Sequence, residues 1–160
     1  PARRAFLSSS GVLLDNLSLA PDLAQSIADA ISAGNAAAVS DGSFDAGLQR
    51  GTLAFVLAPS VDSPLTSCVS GGNRTTGLPK EQSAYRSKLA SALAVLSTVD
   101  LLVSHFGISS GAVTIAFDGK AALVAASNPS GCASLSVLRP CFDYLQVIHR
   151  HLAALPIDVH

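Results

Sequence analysis

Two short stretches constrain this chain more than anything else in it: Ala38-Val39-Ser40-Asp41-Gly42-Ser43-Phe44 and Val113-Thr114-Ile115-Ala116-Phe117-Asp118-Gly119. Each is a strand-like run that ends in Asp-Gly. Asp is a poor strand former because its short side chain competes for backbone hydrogen bonds. An acid at the end of both runs therefore calls for a reason. Taken singly, each Asp-Gly reads as a turn or a helix cap. Taken together they matter more. If the two strands are neighbours in one sheet, both carboxylates reach the same edge, and a close pair of carboxylates is what a hard divalent cation such as magnesium requires.

A chain of 160 residues suits one domain and can bury roughly two thirds of its unfolded surface. Hydrophobic residues make up 49% and charged ones 13%, which excludes disorder. The formal net charge of −1 provides no global basic field. Nucleic-acid contact would then depend on a local cluster such as Arg74, Lys80, Arg86 and Lys88. Cys68, Cys132 and Cys141 show no C-x-x-C spacing and lie in apolar surroundings, so buried reduced thiols and an intracellular, reducing location are expected. The apolar stretch Leu89 to Phe106 is broken by Ser91, Ser97, Asp100, Ser104 and His105, which argues against a membrane span. The start at Pro1, with no secretion signal, reads as a piece of a longer polypeptide.

Asp22, Leu23, Ile27 and Ile31 step at helical spacing between Pro21 and Gly34, which predicts one short helix on a tether within residues 1–37. Strands are predicted at Val39–Phe44, at Gly51–Ala58 and between Leu65 and Ser70, joined by short turns as an antiparallel meander. Gly71-Gly72-Asn73 is predicted as loop. A long helix from Pro79 carries the stripe Leu89, Leu93, Leu96 and Val103, expected to bury against the sheet with Val39 and Ile115. Val113–Phe117 is apolar enough for a central strand covered on both faces. A short helix at Lys120–Ser127 stops at Asn128-Pro129-Ser130-Gly131. Another, carrying Phe142, Leu145, Ile148 and Leu152, runs from Pro140 to Pro156, and a last strand begins at Ile157. The order β-β-β-α-β-α-α-β makes a single α/β domain over residues 38–160.

These residues resemble the ribonuclease H-like domains, particularly the kind fused behind a reverse transcriptase in retroelements. Ser40-Asp41-Gly42-Ser43 is similar to the family's first-strand acid motif, the segment from Gln82 to Ala90 to the start of its first helix, and Phe117-Asp118-Gly119 to the acid ending its fourth strand. The resemblance implies a five-stranded mixed sheet, three antiparallel strands followed by parallel ones, flanked by helices. It also implies magnesium-dependent cutting of the RNA strand of an RNA–DNA hybrid. Two ions would activate water and stabilise the leaving oxygen, with Asp41 and Asp118 as metal-holding catalytic acids. Residues 1–37 would be the connection to a flanking reverse transcriptase domain.

The chain departs from its family at two points. The expected acid of the first helix maps onto Lys88, whose ammonium donates hydrogen bonds and cannot ligate a metal. Glu81 lies seven residues earlier, about 10 Å along a helix axis, too far to substitute; a helix-start carboxylate explains it. The fourth acid has no candidate, because the final helix of the family would follow His160. Asp158, in the last strand, is expected to face the surface. Cleavage is therefore expected to be impaired, the alternative being a non-catalytic hybrid-binding or structural module of a polymerase polyprotein. His149 and His151, at i and i+2, do not face each other on a helix and are read with His105 and His160 as solvated. No Gly-x-Ser-x-Gly elbow accompanies the many serines.

Overall fold

The computed structural model describes residues 20–128 and 141–160. Cys132, Pro140, the Pro129-Ser130-Gly131 stop and the opening Ser-rich segment lie outside these residues.

Helix α1 (Pro21–Ser32) has Pro21 at its first turn, where a missing N–H costs nothing. Gly34 follows it with φ +74, a left-handed conformation glycine adopts freely. Ile27 and Ile31, on its apolar face, are fully buried. The expected helix is thus part of the core, because a stripe of that width must find a partner.

Strands β1 (Ala36–Asp45), β2 (Arg50–Ala58) and β3 (Val69–Arg74) form the antiparallel meander, with Asp41 opposite Ala54 and Thr52 opposite Arg74. Asp41-Gly42 falls inside β1 and not at its end. The third strand also differs from expectation: Leu65–Ser67 is a 3-10 turn, and Gly71-Gly72-Asn73, predicted as loop, is strand. Packing explains the glycine there. A Cβ at Gly71 would lie 2.5 Å from the ring of Phe55, its partner across the pair, so the bare backbone makes room for the aromatic ring.

The long helix α2 (Ala84–Phe106) begins later than Pro79, since Pro79–Glu81 forms a separate 3-10 turn. Ser83 Oγ accepts from the Arg86 N–H at 3.0 Å and caps the helix. Strand β4 (Ala112–Phe117) then returns parallel to β1, from Ala36↔Val113 to Ser40↔Phe117. Helices α3 (Lys120–Ser127) and α4 (Phe142–Ala154) precede β5 (Asp158–Val159), parallel to β4. The sheet order is β3-β2-β1-β4-β5. A mixed five-stranded sheet in this order, three antiparallel strands and then two parallel ones with a long crossover helix between β3 and β4, is the α/β architecture expected from the sequence.

Leu89, Leu93, Leu96 and Val103 are buried as expected, but the stripe understates the helix: Ala90, Ala94, Val95 and Val99 are buried too. The sheet covers one side of α2, and α1, α3 and α4 cover others. By length and composition α2 would suit a membrane, and its burial in the fold accounts for that composition. On the sheet, Ala38, Leu53, Phe55, Leu57 and Val113 are buried. Val39 is 59% exposed and does not join this core, because the period of two along β1 turns it to the opposite face. Thr114 and Ala116 are exposed as well, so β4 is covered on one face only among the described residues. Cys68 and Cys141 are free thiols, half-buried where full burial was expected, at a turn and at a helix start.

Candidate functional site

The β1–β4 register ends at Ser40↔Phe117, and the next residue on each chain is an acid, Asp41 and Asp118. Both side chains are well exposed, at 63% and 82%. Between them lies a cation. Lys88 Nζ donates to Asp41 Oδ1 at 2.9 Å and to Asp118 Oδ2 at 3.0 Å. The lysine that the sequence put in the place of an acid thus sits at the point on which both carboxylates converge.

Two glycines make this geometry possible. At Gly42 a Cβ would lie 2.2 Å from the Ser87 carbonyl carbon, so α2 approaches β1 more closely than any side chain permits and brings Lys88 over the strand. At Gly119, with φ +122, a Cβ would lie 2.6 Å from Lys88 Cδ. The glycine leaves the channel through which the lysine stem passes. The glycines of the two Asp-Gly pairs, each of which taken singly reads as a turn or a helix cap, serve close approach at both places.

The electrostatics follow from the contacts. The hydrogen bond from Lys88 holds the Asp41 carboxyl below its usual range; slight burial opposes this, and the Gly42 N–H, 2.7 Å from Oδ1, adds to it. Lys88 is pushed up from its ordinary value, first by Asp41 and then by Asp118, against a small desolvation cost. Two carboxylates and one ammonium leave a net charge of −1 at the site.

Magnesium demands about six oxygens at roughly 2.0–2.1 Å in octahedral array. Asp41 and Asp118 offer a fraction of that set, and an ammonium occupies their shared point. No group of three or more His, Cys, Asp or Glu side chains converges elsewhere among the described residues. The residues present do not fit a two-ion centre. Glu81 does not compensate, because its Oε2 accepts from the Leu78 N–H at 2.9 Å in the 3-10 turn. Asp158 is exposed in β5, as expected.

Two arrangements escaped the sequence. Arg86, 6% exposed, makes a two-pronged pair with Asp143 of α4 and lies 4.4 Å over the Tyr144 ring. Its place next to Lys88 in a basic cluster gave no hint of an inward role. His151, read as solvated, is 3% exposed; its Nε2 lies 3.4 Å from Ser97 Oγ and its Nδ1 3.6 Å from Asp100 Oδ2. Burial pulls its pKa down, with Asp100 opposing. Ser97 is itself 2% exposed, so the His151–Ser97 contact is packing between α2 and α4, with Asp100 at its half-exposed margin.

No known family and no curated protein matches the sequence. Among solved structures, the chain is similar to RNase H1 from the halophilic archaeon Halobacterium salinarum, with 15% identity, TM-score 0.46, and coverage of 79% of this chain and 83% of that one. It is also similar to the N-terminal RNase H domain of a Mycobacterium tuberculosis protein, solved as a fusion with maltose-binding protein, with 13% identity, TM-score 0.46, and coverage of 80% of this chain and 81% of that one. The fold assignment stands on the strand order, register and helix placement themselves.

Proposed function

We propose that this chain is a ribonuclease H-like domain of a retroelement-type reverse transcriptase polyprotein, working inside the cell on RNA–DNA hybrid, with hybrid cleavage impaired at the Asp41–Asp118 pair. The single observation that carries the impairment is the Lys88 ammonium within 3.0 Å of both acids. A metal ion entering between the carboxylates must displace that ammonium or share the space with it, and like charges at about 4 Å repel by roughly 4 kcal/mol per unit charge product even at an effective dielectric of 20. Magnesium binding is therefore weak in this reading.

The retroelement assignment is supported by the order of three motifs: Ser40-Asp41-Gly42-Ser43, Gln82 to Ala90, and Phe117-Asp118-Gly119. A fold hosts many functions, so the site must carry the functional reading. Asp41 and Asp118, where this architecture brings β1 and β4 together, would be the carboxylates that meet any metal that does enter.

The test is hybrid binding and cleavage measured together. A fluorescent RNA–DNA hybrid should bind in the presence of chelator, and with magnesium the chain should cut it far more slowly than Lys88→Glu does. Failure to bind hybrid at all would remove the nucleic-acid reading. Rapid cleavage by the unaltered chain would remove the impairment.

A further inference from the structure

The two faces of the sheet differ, because side chains alternate along each strand. Ala38, Leu53, Phe55, Leu57 and Val113 are buried on the face that α2 covers. On the opposite face Ala37, Val39, Ala54, Val56, Thr114 and Ala116 are small or branched and exposed or half-exposed, Val39 at 59%. Further along the strands this face turns charged, with acid and base on opposite flanks of β1. Asp118 follows β4 and stands level with Asp41, and with Lys88 the two acids leave a charge of −1 there. Arg74 stands on the outer strand β3, opposite Thr52, which in turn pairs with Ser43. It is exposed and makes no ion pair among the described residues.

Shape follows the same division. Between β1 and β3 the face is hollowed, because Ala54, Ser70 and Gly72 are small, and the depression of about 390 Å³ is bordered by Val39, Asp41 and Val56. On the other flank of β1, the side chains of Thr114, Ala116 and Asp118 form an exposed row. Hollow and row, base and acid, thus lie on opposite sides of one strand. A two-fold axis along that strand exchanges the sides. A second copy laid face to face under this axis sets its β4 row over the hollow, brings its Asp118 beside Arg74, and places its Val39 over Val39.

We infer that this face is an interface between two copies of the chain, related by a two-fold axis along β1. The apolar half, centred on Val39, supplies the burial. The charged half supplies the orientation: each Arg74 offsets the charge of −1 at the partner's acids, and the contact is made twice. Any arrangement that turned one copy end for end would set the charged half on the apolar half and leave these charges without partners. Four strands about 4.8 Å apart, over residues 37–43 of β1 at about 3.3 Å each, present roughly 450 Å² per copy. Two such faces bury about 900 Å² together, the size of a weak and reversible contact. A dimer of this kind needs no nucleic acid, and it covers the Asp118 edge.

The test is sedimentation velocity, with the folding of every variant checked by denaturant titration. From about 10 to 500 μM the parent chain should show a reversible monomer–dimer equilibrium. Val39→Glu, at an exposed position, should stay folded and sediment as a monomer throughout. Arg74→Glu and Asp118→Arg should each weaken dimerisation by roughly ten-fold or more, since each homodimer then holds two like-charge contacts. Mixed in equal amounts, these two variants should regain the dimer, because their heterodimer restores both opposite-charge contacts. A parent that stays monomeric at the highest concentration overturns the interface and leaves the face to a different partner. A dimer indifferent to Val39→Glu, or a mixture no tighter than either charge variant alone, overturns the two-fold arrangement.

Discussion

Gly119 stands where a side chain would strike Lys88: its absent Cβ would lie 2.6 Å from Lys88 Cδ. The residue after the second acid thus decides whether the lysine can reach either acid.

Gly119→Ala should push the lysine stem out of its channel and break the contacts to Asp41 and Asp118. The Lys88 pKa, held up by those contacts, should fall toward its ordinary value, readable by NMR of the lysine side chain. Because residue 119 has φ +122, the substitution should also cost about 1–3 kcal/mol in a denaturant titration. An unchanged Lys88 titration would show that the stem does not depend on that space.

Leu93, 4% exposed at the centre of α2, tests the packing. Leu93→Ala should destabilise the fold by roughly 2–5 kcal/mol through lost burial and a residual cavity. A loss under about 1 kcal/mol would mean that the site collapses freely or that the helix is not seated as described.

The clamp between α2 and α4 gives a third expectation. Asp143→Ala leaves the guanidinium of Arg86 buried without its carboxylate, which should cost about 3 kcal/mol, the low end for a broken buried pair because Asp143 is 58% exposed. A double-mutant cycle with Arg86→Met isolates the pair; coupling near zero would contradict the clamp.

Stability should depend on pH through His151. Burial lowers its folded-state pKa below the ordinary 6.5, so the unfolded chain binds the extra proton first. The stabilisation is complete above about pH 6.5 and is lost as pH falls from there toward the lower folded-state value. His151→Asn should flatten that part of the profile. Asp41 adds a second acid-side dependence: its lowered pKa contributes above its ordinary 3.8 and is lost below it. Lys88 works at the other end, its contribution present below 10.5 and lost as pH rises through its elevated value.

Much of this was legible in the chain. Periodicity placed α1, α2 and α4, because Ile27 and Ile31 or Leu89, Leu93 and Leu96 repeat at helical spacing, and burial enforces that spacing. The acid pair was legible because an Asp-Gly closing an apolar, strand-like run is unusual enough to stand out twice. The strand of Gly71 and Gly72 was hidden, since its pairing depends on the Phe55 ring from a different strand. Val39 was misplaced because an apolar residue on β1 says nothing about which face has a covering helix. The inward turns of Arg86 and His151 depend on Asp143, Ser97 and Asp100, partners too distant along the chain for any local pattern to announce.

The central claim is that Lys88 occupies the place of a metal-binding acid and keeps magnesium out. Isothermal titration of magnesium into the chain and into Lys88→Glu tests it most directly. The substitution exchanges an ammonium for a carboxylate, a change of two charges beside Asp41 and Asp118, and should tighten magnesium binding by at least ten-fold, equivalent to about 1.4 kcal/mol. Equal affinities in the two proteins would contradict the account.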